Sequence, residues 1–218
     1  MAALAAFIKK SWVRWPMTDS QQIALAITGA SGAPYAKRLL EQLLLQGITV
    51  HLMISAAGRI VLADELDWKL PARAADATKV LETQFNCQAG QIKLYGEQQW
   101  SSPLASGSHS VPTMIVCPCT MGTLSAIACG GSDNLINRAA DVMIKEQRKL
   151  IVVPREAPFS PIHLENMLKL SRLGVCIMPP NPGFYFRPQT LEDVVDFVVA
   201  RILDQASIKH QLMPRWGE

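Results

Sequence analysis

Short apolar runs alternate along the chain with stretches whose apolar residues recur every three or four positions, and this alternation predicts strands separated by helices. IALAIT (23–28) reads as a first strand. It is followed by a helix over 34–46 whose Leu39, Leu40, Leu43 and Leu44 share one face and which Gly47 ends. VHLMIS (50–55) is a second strand with AAGRIVLADEL as its helix, and IKLY (92–95) reads as a short third strand. MIVCPC (114–119) is a strand followed by helices in TLSAIAC and NRAADVMIKEQR; LIVVPR (150–155) precedes a helix from about 161 to 173, with Gly174 past its end. VCIMPP (175–180) reads as the last strand, and Thr190 and Asp193 stand in capping-box spacing ahead of the final helix, LEDVVDFVVARILDQ. Strands apolar on both faces and joined through helices make a parallel sheet covered on both sides. The expected fold is a single doubly wound α/β domain, Rossmann-like or flavodoxin-like, with helices on both faces.

Composition narrows what such a domain does. With 218 residues, 49% of them hydrophobic, the chain has ample material for one core. Only 18% of residues are charged, against roughly a quarter in ordinary soluble domains, which points to surface covered by other protein and so to a homo-oligomer. No uninterrupted apolar run reaches the ~20 residues of a membrane span. The net charge of +3 is too small for a general nucleic-acid binder. It also has a local origin: the first sixteen residues hold Lys9, Lys10 and Arg14 and no acid, while residues 17–218 balance at eighteen of each sign. Residues 1–22 are therefore read as an extension, unstructured or the product of a start misassigned ahead of Met17, before a domain over 23–218. A secretory signal is excluded because the apolar stretch precedes the basic residues; a short transit peptide is the competing reading. The five cysteines lack disulfide-framework spacing, and Cys117-Pro118-Cys119 has no second cysteine or histidine pair to complete a zinc site. They read as structural thiols in a reducing cytoplasm, with no metal.

In doubly wound folds ligands bind at the carboxyl ends of the strands, so the residues after each strand carry the chemistry. The first strand ends in TGASGAP (28–34), whose glycines let backbone N–H groups approach an anion at the next helix start. The pattern is neither G-x-G-x-x-G nor a Walker loop; a tight strand-to-helix turn is the plain alternative. The second strand ends at Ser55, where a dinucleotide site usually places an acid on the ribose, so a mononucleotide or flavin fits better than NAD. Later strands end in Cys119-Thr120-Met121-Gly122-Thr123, in Pro154-Arg155-Glu156 and in Pro179-Pro180-Asn181-Pro182. Arg155 offers a guanidinium fork to a phosphate and Glu156 an acid/base, though adjacent residues of opposite charge read equally as a surface ion pair. Arg138 and Lys145, two turns apart on one helix, either grip a second anion or line a solvated face.

In collinear order, GASGAPYAKRLL, Ser55 followed by Glu65, SGS (106–108), CPCTMGTLSAIA, NRAADVMIKE, PREAPFSPIHLENMLKLS, PGFYFRPQTLEDVVDFVVARILD and the terminal RW resemble the UbiX-type flavin prenyltransferases from about residue 23 to 216. The resemblance implies transfer of a dimethylallyl group from dimethylallyl phosphate to N5 and C6 of reduced FMN, without a metal. The prenylated FMN would pass to a UbiD-type decarboxylase of ubiquinone biosynthesis or aromatic-acid metabolism. Carried over by position, it makes Ala30, Ser31, Gly32, Ser55, Thr120, Met121, Gly122, Thr123 and Arg155 contacts to FMN. Tyr185 and Arg201 become contacts to the prenyl phosphate, with Arg138 and Lys145 supplied by a neighbouring subunit of a dodecamer. Ser31, Glu65, Glu156 and Lys145 form the catalytic set, and Trp100 and Trp216 flank the prenyl pocket. The chain has no D-D-x-x-D motif to hold magnesium, so the cluster of Arg138, Lys145 and Arg201 would stabilise a monophosphate leaving group instead. Trp100, Tyr185 and Trp216 would shelter an allylic cation with their π faces.

Two other functions compete. A flavin-dependent cysteine decarboxylase of the same superfamily uses a histidine after the second strand and a P-x-M-N-type segment; here His51 lies within that strand and PPNPGFY replaces the segment. A non-catalytic FMN-binding regulatory subunit would have no need of Glu65, Glu156, Lys145, Tyr185 and Arg201 together.

Overall fold

The computed structural model of the protein describes residues 22–108, 111–213 and 217. The N-terminal segment through residue 21 and Trp216 lie outside them. Six strands are formed: β1 (Gln22–Ile27), β2 (Thr49–Ile54), β3 (Ile92–Tyr95), β4 (Thr113–Cys119), β5 (Lys149–Pro154) and β6 (Cys176–Ile177). They make one sheet in the order β3-β2-β1-β4-β5-β6, parallel at every neighbouring pair. The expected doubly wound fold is therefore what the chain adopts.

Side chains alternate across the sheet, and each face packs on its own helices. On one face Ile23, Leu25 and Ile27 join Val50, Leu52, Ile115 and Ile151. They lie under α1 (Ala33–Leu45), α2 (Ala56–Leu66), α3 (Ala74–Phe85) and α7 (Leu191–Gln205). On the other face Ala24, Ala26, Met114, Val116 and Val152 meet α4 (Met121–Ala128), α5 (Leu135–Lys145) and α6 (Pro161–Arg172). Burying a Leu or Ile side chain contributes ~1.5–3 kcal/mol, so the first face, with Leu39, Leu40 and Leu43 of α1 fully inside it, anchors the domain. Cys117 and Cys119 fall in opposite clusters, because the β4–β5 register shifts between Val116 and Cys119. The two thiols of the C-P-C segment therefore pack into different layers, and burial pushes both up. The structural reading holds for this pair, whereas Cys129 is exposed.

Three elements depart from the sequence pattern. α3 was not expected; it buries only Ala77 and Leu81, too few positions for a strong helical period. VCIMPP yields only the two-residue β6, since Pro179 and Pro180 have no N–H for a ladder. The segment around SSPLASGS contains a 3-10 turn, Pro103–Ala105, capped by Ser102. The final helix starts as anticipated: Thr190 Oγ1 accepts the Asp193 N–H at 3.1 Å and Asp193 Oδ2 accepts the Thr190 N–H at 2.9 Å.

From β1 the chain winds outward through β2 and β3, then returns to place β4, β5 and β6 on the other side of β1. The direction reverses between β1 and β4. At such a switch point the loops leaving the carboxyl ends part and open a crevice.

Candidate active site

The crevice is held open by a residue that sequence reasoning passed over. Thr28, just beyond β1, is buried, and its Oγ1 donates to the Pro118 carbonyl at 2.9 Å while accepting the Thr120 N–H at 2.8 Å. Its own N–H donates to the same Pro118 carbonyl at 3.2 Å. These bonds tie β1 to β4 past the last ladder pair, Ala26 with Val116. A hydroxyl closing an apolar strand was the available signal.

Three helices start on this rim. Thr120 caps α4, its Oγ1 accepting the Thr123 N–H at 3.1 Å and donating to Thr123 Oγ1 at 2.9 Å. Ser55 caps α2, accepting the Gly58 N–H at 2.9 Å. A Cβ on Gly29 would lie 2.4 Å from Ala57 Cβ, and one on Gly58 2.6 Å from the Ile27 carbonyl oxygen. Glycine at both positions is thus what lets α2 close against the loop after β1. Gly32, at φ +126°, opens α1 without a side-chain cap of its own.

That cap comes from Glu65 on α2. Its Oε2 accepts the N–H groups of Gly32 at 3.0 Å and Ala33 at 2.7 Å. Burial pushes the Glu65 carboxyl up, but hydrogen bonds from the Ser31 side chain and those two amides, with the Arg155 guanidinium nearby, outweigh it and hold the group below its ordinary value. An ionised carboxylate at a helix N-terminus is also what the helix dipole favours. Glu65 is consequently an ionised hydrogen-bond acceptor, linked to Ser31, beside the crevice.

Arg155 and Glu156 do not pair with each other. The Arg155 N–H extends the backbone link to β4 through the Cys119 carbonyl at 3.2 Å. Its Nε donates to the Ser31 carbonyl at 3.1 Å, bridging the loops after β5 and β1. Glu156 Oε1 accepts the Ala157 N–H at 3.1 Å. The rim therefore gathers Ala30, Ser31, Gly32, Ser55, Glu65, Thr120–Thr123, Arg155 and Glu156 in one chain. Its donors fit a flavin mononucleotide: the exposed Ser31 and half-buried Ser55, Thr120 and Thr123 hydroxyls and helix N-termini for a phosphate and ring edge, and one guanidinium. Only Thr120 Oγ1, at 3.9 Å, comes within 4 Å of a Cβ built on Gly122, so the first turn of α4 is bare on that side.

The other expected residues lie elsewhere. Tyr185 and Arg201 sit at the β6 edge. Tyr185 packs edge-on against Phe186 and Phe197, and Arg201, one turn beyond Phe197 on α7, lines a cleft of about 310 Å³ with Cys176, Met178 and Asn181. Arg138 Nε donates to the Ala105 carbonyl at 3.0 Å and its Nη1 to Asp141 at 2.8 Å. Lys145 contacts Glu146 in the last turn of α5, four residues before β5 begins and so toward the amino ends of the strands, away from the rim. Trp100, past the end of β3, is exposed. One chain thus assembles the residues expected around FMN but leaves apart those expected around the prenyl phosphate. Among the described residues no group of three or more His, Cys, Asp and Glu could hold a metal, and no helix is long and apolar enough to cross a membrane.

Comparison with known proteins agrees with this geometry. The sequence profile of the flavoprotein family matches residues 16–203. The chain is 53% identical over 202 residues to the flavin prenyltransferase UbiX of Pseudomonas aeruginosa, covering 93% of this chain and 97% of that one. Among solved structures, AnUbiX (PadA1) in complex with FMN and dimethylallyl pyrophosphate superposes with a TM-score of 0.78 at 34% identity, over 91% of this chain and 98% of that one. A dodecameric FMN-dependent Ubix-like decarboxylase from Escherichia coli O157:H7 superposes equally well, TM-score 0.78, at 38% identity, over 91% of this chain and 100% of that one.

Proposed function

The chain belongs to the flavoprotein family and, within it, to the UbiX-type flavin prenyltransferases, and from that premise we propose that it joins a dimethylallyl group from dimethylallyl phosphate to reduced FMN. The observation that carries the reading is the rim at the β1–β4 switch point, where Ser31, Glu65 and Arg155 are bonded together beside the bare first turn of α4. Reduced FMN, when bound, supplies the nucleophilic N5 and the C6 position to which the dimethylallyl group is attached.

The chain's own residues do the rest. Ala30, Ser31, Gly32, Ser55 and Thr120–Thr123 hold the flavin with backbone amides and hydroxyls, and Arg155 places a guanidinium beside them. Breaking the allylic C–O bond leaves a phosphate dianion and a delocalised cation. Arg201, with Arg138 and Lys145 of a neighbouring copy, receives the dianion; charge-assisted hydrogen bonds replace a metal there. Tyr185, Trp100 and Trp216 shield the cation with their ring faces. Ser31 Oγ donates a hydrogen bond to the Glu65 carboxylate, which holds the hydroxyl in place at the reacting ring edge. Glu156, with Oε1 tied to the Ala157 amide, keeps Oε2 to carry a proton at the reacting ring edge.

The placement of Lys145 at the end of α5 away from the rim supports a site shared between subunits, and the dodecameric relative supports the same assembly for this chain. The product goes to a UbiD-type decarboxylase, and the free thiols fit a cytoplasmic location. The test is to mix the protein, reduced FMN and dimethylallyl phosphate without oxygen and weigh the bound flavin. A mass increased by one dimethylallyl group less one hydrogen, the proton released as the ring is substituted, is expected; an unmodified flavin overturns the proposal.

A further inference from the structure

The cation at the β6 edge is held from behind. Arg201 is half exposed, and its Nη1 donates to Asp204 Oδ2 at 2.7 Å, one turn along α7. The second carboxylate oxygen, Oδ1, lies 3.2 Å from His210 Nε2, and His210 Nδ1 accepts the Leu212 N–H at 3.4 Å. A ring nitrogen that accepts leaves the proton on the other one, so the neutral imidazole is the tautomer that donates to Asp204. The His210 side chain is only 7% exposed, and Leu212 and Met213 pack against the core. The tail after α7 is therefore anchored where it meets Asp204. Asp204 itself is not among the residues lining the cleft that Arg201 enters.

We propose that Asp204 and His210 are positioning residues that pre-organise the Arg201 guanidinium for a phosphate monoester in the cleft between β6 and α7. An unrestrained arginine loses much rotamer freedom when it grips a phosphate; one already fixed by a carboxylate loses less, and its affinity rises accordingly. The clamp uses one guanidinium nitrogen and leaves the rest of the planar fork for phosphate oxygens. The negative charge of Asp204 works against an incoming dianion. It stands behind the guanidinium, however, in a part-exposed setting where such repulsion is weakly felt, so orientation wins. Asp204 does for the arginine what an outer carboxylate does for a metal-bound histidine: it fixes which way the binding group points.

This inference rests on the reading of Arg201 as a prenyl-phosphate ligand, and the experiment separates the two. Full-length protein loaded with oxidised FMN is titrated calorimetrically with dimethylallyl phosphate, so that binding is read without turnover, and KM and kcat are then measured with reduced FMN. Asp204→Asn is expected to raise both the Kd and the KM for dimethylallyl phosphate about tenfold, a change of one factor of ten in the binding constant, with kcat within about twofold and FMN affinity unchanged. His210→Ala should raise the Kd about threefold, whereas His210→Gln, which keeps an N–H donor, should restore it. Wild-type affinity in Asp204→Asn, beside weakened binding in Arg201→Met, overturns the positioning role and leaves the reading of Arg201 intact. Unchanged binding in Arg201→Met overturns that reading and the positioning role with it. If Asp204→Asn does not fold, the His210 pair decides: equal affinity in His210→Ala and His210→Gln overturns the proposal.

Discussion

The rim at the β1–β4 switch point and the cleft at the β6 edge are built by different means. At the rim every bond is closed within one chain: Thr28 ties β1 to β4, Glu65 caps α1 from α2, and Arg155 reaches across to Ser31. At the edge, β6 is two residues long, with β5 its one neighbour in the sheet. Tyr185 and Arg201 are exposed, and the cations expected to complete the site sit on α5. The contrast teaches that binding the flavin and transferring the prenyl group need different levels of assembly. On the proposed function, a single chain holds the flavin-binding residues, and prenyl transfer would wait on another copy, whose approach the low charged fraction of 18% would favour.

Dissociation tests that contrast most severely. Protein held monomeric by dilution or by interface substitutions should keep FMN affinity within a few-fold and lose prenyl transfer altogether, as read by sedimentation alongside single-turnover assays. A stable, active monomer breaks the comparison. Glu156→Gln comes next. It removes the proposed proton carrier at the rim without touching the bonds that shape it, so FMN should stay bound while transfer slows ~10²-fold or more, the usual scale for general acid–base groups. Unchanged turnover would remove Glu156 from the mechanism.

A smaller effect is expected at Thr28. Thr28→Val keeps the shape but leaves the Thr120 N–H and one bond to the Pro118 carbonyl unmade in a buried place, at a cost of ~1–3 kcal/mol. Urea unfolding should register that loss together with weaker FMN binding, and Thr28→Ser should restore most of both. If Thr28→Val binds FMN like the wild type, the rim does not depend on the β1–β4 tie.

How much of this was legible beforehand follows from where the information lies. Strands such as IALAI and LIVV are apolar on both faces, because both faces are covered, and a run of that kind needs no partner to be recognised. The helix Ala74–Phe85 escaped because its face toward the core holds little more than Ala77 and Leu81. Chemistry at strand ends was readable in kind, since hydroxyls, glycines and Arg155 all follow strands. Its geometry was not. Arg155 and Glu156 look like an ion pair on paper, yet the turn after β5 sends one to Ser31 and the other back to its own backbone. The Glu65 cap joins residues thirty-two and thirty-three apart through α2 and α1, a distance at which no periodic pattern operates. The expectation that Arg138 and Lys145 serve a neighbouring copy came only from resemblance, because a contact between copies would leave no spacing in one chain.

Acid offers the mildest way to sharpen the contrast, because the half of the sheet that carries the rim holds two groups whose protonation opposes folding. His51, on β2 and 4% exposed, stacks on Tyr95 and lies 2.9 Å from both Tyr95 Oη and Gln22 Oε1. Burial, helped by the charge of Lys93, lowers it from 6.5 to about 4. Its unfolded form therefore binds a proton first, and stability should fall as the pH drops from about 6.5 to about 4, then level off for this residue. Glu65 acts lower down. Its folded value is depressed, so its contribution is whole above the ordinary carboxyl value and disappears as the pH falls through the folded one. Urea midpoints measured from pH 7 to pH 3 should therefore decline in two stages. His51→Asn, which cannot titrate, should flatten the first stage, and Glu65→Gln the second. A decline that keeps both stages in both variants would place the acid-sensitive groups elsewhere than at His51 on β2 and the Glu65 cap of α1.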